Sequence, residues 1–198
     1  MEHRLPFHEL EDDELVVATA QGEARALRVL VERWSPRVLA FLARALGSRS
    51  DAEDLAQETF LRLYRAAPRY RAEGRFSAWL FRIAGNLARQ EIRKRKVRGF
   101  FLGGRQPDEQ ELLDSLPAPR HFDAAGPLHD AETRAALSRA IARLPERQRL
   151  AVLLRYFEEM RVRDIAEVLG TSVHAAESLL ARGTRRLRRE LRAQIPDL

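Results

Sequence analysis

The chain of 198 residues contains no cysteine. Disulfides, thiolate metal sites and cysteine nucleophiles are therefore excluded, and the composition suits a reducing compartment. Long apolar runs are also missing, and no stretch approaches the length needed to span a bilayer. The N-terminal MEHRLPFHELEDDEL is acidic and lacks the basic region and apolar core of a secretory leader. A cytoplasmic protein is expected. The five histidines (His3, His8, His121, His129 and His174) are scattered, without the i, i+4 pairing of a helical metal site. There is no phosphate-cradling glycine loop and no glycine-flanked nucleophilic serine. The expectation is a protein that is not an enzyme and has no metal, no cofactor and no small-molecule substrate.

What the sequence does contain is charge and helical periodicity. Thirty-five Lys and Arg face 29 Asp and Glu, a formal net charge of +6, which favours a polyanionic partner such as nucleic acid or an acidic membrane. Apolar residues recur at i, i+3, i+4, i+7 as Leu27, Leu30, Val31, Trp34 and as Val38, Phe41, Leu42, Ala45. The same spacing returns at Leu80, Ile83, Ala84, Leu87, at Leu150, Leu153, Leu154, Phe157 and at Val162, Ile165, Ala166, Leu169. No run alternates with β-branched residues, so the fold class is all-α.

Gly22, Pro36, Gly47 and Pro68 punctuate the first half, and Pro145 and Gly170 the second. Ser50 to Glu53 reads as a capping box opening a helix, and Pro145 suits a first helical turn. From 99 to 130 the periodicity dissolves into a Gly- and Pro-containing, net acidic stretch. The chain thus divides into a helical domain over 8–98, a flexible linker over 99–130 and a second small helical domain over 131–195.

Three surfaces stand out. In the helix over 51–64, Leu55, Ala56, Thr59, Phe60 and Leu63 form the core stripe, while Asp54, Gln57, Glu58 and Leu61 share the opposite face. Acids, an amide and an exposed leucine can dock a protein, although on spacing alone an ordinary solvated face is the simpler reading. In the helix over 76–98, Arg82, Asn86, Arg89, Arg93 and Lys96 lie opposite the apolar stripe, a cationic ridge suited to successive phosphates. Tyr70, Phe76 and Trp79 stand beside it, with rings that either stack on unpaired bases or belong to the core. Over 161–191 a short helix, a glycine turn and a second helix capped by Ser172 follow helix-turn-helix grammar, with a plain helical hairpin as the other reading. Val173, Ala176, Leu180, Gly183 and Leu187 are expected to pack inward. His174, Ala175, Ser178, Arg182 and Arg185 are expected to face a DNA groove.

Together these segments resemble the extracytoplasmic-function (ECF) sigma factors. EDLAQETFLRLYRA is similar to the family's region that docks on the clamp helices of the polymerase β′ subunit, and FSAWLFRIAGNLARQEIRKRK to its −10-element segment. LPERQRLAVLLRYFEEMRVRDIAEVLG with the helix after it is similar to the −35-binding domain. The resemblance implies a factor that binds core RNA polymerase (β′ clamp helices and β flap), recognises promoter DNA, and is restrained by an anti-sigma factor. It implies docking through Asp54, Gln57, Glu58 and Leu61, and capture of a flipped −10 base by Ala66, Tyr70, Ile83 and Asn86. Trp79, Arg82, Arg89, Arg93 and Lys96 would hold the adjoining DNA, and Ser172, His174, Ala175, Ser178, Arg182 and Arg185 the −35 duplex. Two departures are visible. Glu177-Ser178-Leu179 stands where the family often has Lys-Ser-Arg. Gly183 replaces a common alanine, costing the helix about 1 kcal/mol. A stand-alone helix-turn-helix regulator and a helical adaptor or RNA-binding protein are the alternatives from other classes.

Overall fold

The computed structural model describes residues 6–102 and 131–194, with side chains for 6–97 and 133–194. Among the described residues there are helices and turns and no strand. A short 3-10 turn (Phe7–Glu9) leads into α1 (Asp12–Ala20), α2 (Ala24–Leu46) and α3 (Arg49–Ala66). A second 3-10 turn (Ala67–Arg69) and a loop precede α4 (Phe76–Leu102). Beyond the undescribed stretch come α5 (Ala131–Ala142), α6 (Glu146–Tyr156), α7 (Val162–Leu169) and α8 (Val173–Gln194). The expected linker over 99–130 falls almost wholly outside the described residues.

Backbone chemistry explains where the helices stop. Gly47 and Gly170 end α2 and α7 with φ of 66° and 58°, a left-handed conformation that costs a Cβ-bearing residue energy. At Gly170 the Thr171 N–H donates to Ala166 O at 2.9 Å, which satisfies a carbonyl the helix leaves unpaired. Two sequence expectations are corrected here. The capping residue of α3 is Ser48, whose hydroxyl accepts from Asp51 N at 3.3 Å, and Ser50 already lies inside the helix. Glu53 pairs instead with Arg49 at 2.7 Å. Pro36 does not break α2, which runs through it. Pro36 and Glu32 are both exposed, so the carbonyl deprived of its N–H partner lies on the solvent side. Pro145 occupies the N-cap of α6, one position before the first turn.

The first core gathers Leu30, Trp34, Val38, Phe41 and Leu42 of α2 against Phe60 and Leu63 of α3 and Phe76, Leu80 and Phe81 of α4. Phe81 meets Phe41 and Trp34 edge-on, at centroid distances of 5.2 and 6.2 Å. Each fully buried ring of this size stabilises the fold by about 1.5–3 kcal/mol. The second core is built by α6, on which α7 and α8 pack, with Leu150, Leu153, Leu154, Ile165, Leu169 and Leu187 at its centre.

The two halves also pack on each other: α4 lies along α7, and α2 along α6. Gly85 permits the first approach, because a Cβ at that position would sit 3.3 Å from Val168 Cγ1. Arginines bind across the rest of the boundary. Arg75 Nη2 donates to Asp164 at 2.8 Å and lies 2.6 Å from Glu167. Arg149 donates to Ala45 O at 2.8 Å, and Arg37 to the carboxylate of Glu158 at 3.0 Å. Arg44 stacks over the Phe157 ring at 4.3 Å.

Candidate polymerase- and DNA-binding surfaces

On α3 the core stripe is as expected: Ala56, Thr59, Phe60 and Leu63 are buried and Leu55 is half-buried. The opposite stripe presents Asp54, Gln57 and Leu61 to solvent, with Glu58 half-buried and paired to Arg62 at 2.7 Å. Leu61 is 50% exposed and Tyr64, one turn on, 52%. An apolar ridge of that kind flanked by carboxylates is unusual on a solvated helix and matches the anatomy of a docking face. Tyr64 was readable from the sequence as the i+3 neighbour of Leu61.

The loop entering α4 carries an aromatic cluster. Tyr70 lies 4.5 Å from the Trp79 ring centroid, and Phe76 packs edge-on between Tyr70 and Trp34. Phe76 is core, whereas Trp79 and Tyr70 are half-buried. The Tyr70 hydroxyl donates to Asp13 at 2.5 Å. Burial, reinforced by this bond and the acids Asp13, Asp12 and Glu73, holds its pKa well above the ordinary phenol value. Ala66, Ile83 and Asn86 are half-buried as well.

The cationic ridge on α4 is real but unevenly available. Arg82 and Arg93 are exposed, and Lys96 lies 3.4 Å from Glu146. Arg89 is engaged: it donates to Leu169 O at 2.8 Å, to Val168 O at 3.3 Å and to Asn86 Oδ1. It therefore caps the C-terminal carbonyls of α7, where a cation is favoured by the helix dipole. Desolvation lowers the Arg89 pKa from its ordinary value. The sequence reading missed a second packing stripe on this helix, Phe81, Gly85 and Ala88, all buried. The i, i+4, i+7 spacing of one aromatic and two small residues was its signal.

In the second half, Ser172 caps α8 as expected, accepting from Ala175 N at 3.1 Å. His174, Arg182 and Arg185 are exposed and Ala175 and Ser178 half-buried, while Ala176, Gly183 and Leu187 are buried and Leu180 half-buried. Val173 departs from the expectation: it is 45% exposed, because the first residue of α8 stands clear of the core. Leu179 is half-buried against the core. Glu177 stays exposed, so the stretch Glu177-Ser178-Leu179 offers no cation to a groove. Arg139 of α5 to Gln194, and Arg143 just past the end of α5 to Glu190, fasten the far end of α8.

A helix-turn-helix with an exposed basic face, joined to a helical unit with a cationic helix and a separate apolar-acidic docking stripe, defines a two-domain DNA-binding transcription protein. Residues 30–98 match the sigma-70 region 2 family and residues 134–187 the sigma-70 region 4 family. The ECF RNA polymerase sigma-E factor of Haemophilus influenzae is 31% identical over 88% of this chain and 92% of its own. The ECF sigma factor SigW of Bacillus subtilis is 31% identical over 87% and 92%. The solved structure of CnrH in complex with the cytosolic domain of CnrY superposes with a TM-score of 0.66, at 27% identity, over 92% of this chain and 97% of that one. The chain belongs to the ECF family of RNA polymerase sigma factors and directs promoter-specific initiation of transcription. Among the described residues no helix is long and apolar enough to cross a membrane.

Proposed function

We propose that the chain divides its work between a domain over 8–98 and one over 131–195, joined by the linker over 99–130. The first docks on core polymerase through Asp54, Gln57, Glu58 and Leu61. It takes a −10 base extruded from the non-template strand against Ala66, Tyr70, Ile83 and Asn86. Extrusion costs a few kcal/mol, which stacking on Tyr70 and Trp79 and hydrogen bonds to the base edge offset. Arg82, Arg89, Arg93 and Lys96 neutralise the adjoining phosphates. The second domain reads the −35 duplex with the face of α8 that holds Ser172, His174, Ala175, Ser178, Arg182 and Arg185. With Glu177 and Leu179 in place of cations, affinity there rests on Arg182 and Arg185. DNA laid along the whole α4 ridge displaces α7 from Arg89.

The observation that carries this reading is the exposed Leu61 within an acidic stripe, on a helix whose other face is fully committed to the core. The protein itself catalyses no bond making in this scheme and works in the cytoplasm. Its partners are core polymerase (β′ clamp helices and β flap), promoter DNA and an inhibitory anti-sigma protein. The test is transcription by bacterial core polymerase with this protein on a template library randomised across the −10 and −35 regions. Enriched transcripts that vanish with a combined D54A and E58A variant are expected. No enrichment, with no co-elution of the protein with core polymerase, refutes the assignment of the docking face.

A further inference from the structure

Two neighbouring carboxylates near the start of α1 do different work. Asp12 accepts from Arg33 Nη1 at 2.6 Å, and the same guanidinium donates to the carbonyls of His8 and Leu10, which ties α1 to α2. Asp13, one residue on, belongs to the −10 side of the molecule. One of its oxygens accepts from the Tyr70 hydroxyl at 2.5 Å and the other from Gly74 N at 2.5 Å. These two partners stand near opposite ends of the loop between the 3-10 turn and α4. Gly74 has φ of 67°, so its N–H is presented from a backbone conformation few other residues would adopt. The Asp13 charge itself sits in the first turn of α1, where the helix dipole favours an anion.

We propose that Asp13 is a positioning residue for −10 recognition, fixing the Tyr70 ring and the loop that carries it before DNA arrives. This rests on the −10 reading above. A tyrosine held by its hydroxyl and packed against Trp79, with the two rings inclined at 43°, is fixed in one orientation, so a base entering beside it pays little ordering entropy. Without the carboxylate the ring regains rotamer freedom and the loop loses its second tether at Gly74. The loss falls on discrimination of the captured base and leaves the −35 contacts untouched, since the loop's described tie to the helix-turn-helix, Arg75 to Asp164 and Glu167 of α7, involves neither Asp13 nor Tyr70.

The experiment is the randomised-library transcription assay, read by sequencing the transcripts, with wild type, D13A, Y70F and the double variant. D13A removes both acceptors and Y70F only the donor, and thermal melting followed by circular dichroism checks that each variant is folded. Each single variant is expected to flatten base preference at one and the same −10 position by about tenfold, the worth of a charge-assisted hydrogen bond. The double variant is expected to be no flatter than D13A, and the −35 profile to be unchanged. A D13A profile identical to wild type at −10, whether or not total yield falls, overturns the proposal. So does equal flattening at −10 and −35. A wild-type profile already flat across −10 overturns the −10 reading itself, a different outcome from either.

Discussion

Replacing Gly183 by alanine tests how closely the recognition helix is held to its platform. Judged from helix propensity alone, the change should stabilise α8 by about 1 kcal/mol. The structure argues the reverse. A Cβ at 183 would lie 2.9 Å from Val152 Cγ2 and 3.3 Å from the carbonyl oxygen of Gln148, both on α6. Val152 is fully buried, and its branched side chain has one strongly preferred rotamer in a helix, so it cannot swing away. The second obstacle is backbone. Inserting a methyl group into such a contact costs about 1–3 kcal/mol. Taking about 2 kcal/mol for the clash against about 1 for propensity, G183A should destabilise the protein by about 1 kcal/mol. Both tryptophans, Trp34 and Trp79, lie in the first half of the chain, so urea unfolding should be followed by far-ultraviolet circular dichroism. The decisive comparison is the same substitution in a V152A background, where the removed methyls make room. There G183A should turn stabilising, because the propensity gain remains and the new methyl fills part of the cavity. An effect of the same sign and size in both backgrounds would refute the packing argument, and so would stabilisation in wild type.

Leu61→Ser should weaken capture of core polymerase at least tenfold in a binding titration while leaving unfolding within about 0.5 kcal/mol of wild type, as for exposed sites generally; a parallel loss of stability would mean that Leu61 serves the fold. Arg75→Glu sets a like charge against Asp164 and Glu167, and small-angle scattering should show a larger radius of gyration; an unchanged radius would refute the contribution of that contact to holding the halves together. Glu158 is buried beside Arg37 and Arg44, and desolvation, outweighing the arginines, raises its pKa above the ordinary carboxylate value. The folded protein therefore binds this proton more tightly than the unfolded chain, and stability from this group is lost as pH rises through the folded-state value. The melting temperature of E158Q minus that of wild type should accordingly grow from acid to neutral pH, and a gap that widens on acidification would contradict the sign.

The helices were legible because their apolar periodicity is strong and their glycine stops are unambiguous. Where the reading slipped, local signals competed. Ser48 and Ser50 both satisfy the chemistry of an N-cap, and only the extended backbone at Ser48, φ of −145°, decides between them. Pro36 is a breaker by composition, yet its missing N–H falls on the exposed side of α2, where water can serve the carbonyl left unpaired. Val173 fits the inward spacing of α8, but periodicity carries no information about where the neighbouring helix ends. Leu179, noted in the sequence only as standing where the family often has a cation, packs back on the core, which a comparison of residue types alone does not reveal.

The candidate site was legible to the extent that charge and periodicity specify a face, and illegible where one residue type satisfies two environments. Arg89 is the clearest case. A guanidinium offers five donors, and phosphate oxygens or the last carbonyls of a helix accept them equally well. On the sequence it belongs to a ridge of cations spaced for phosphates. In the fold it holds Val168 O and Leu169 O of the helix-turn-helix. Asp13 shows the complementary failure: 57 residues before Tyr70, in a stretch that read only as acidic, it had no local pattern to mark it. Long-range polar contacts of this kind depend on which faces the cores bring together, and the sequence encodes them only through the packing of α1, α2 and α4. The small residues offered one advance sign of that packing. Gly85 and Ala88 follow Phe81 at helical spacing on the side next to the cationic ridge, and a helix carries such a stripe where another backbone approaches closely. Had that stripe been weighed with the ridge, Arg89 would have been expected at a boundary between helices as well as beside DNA.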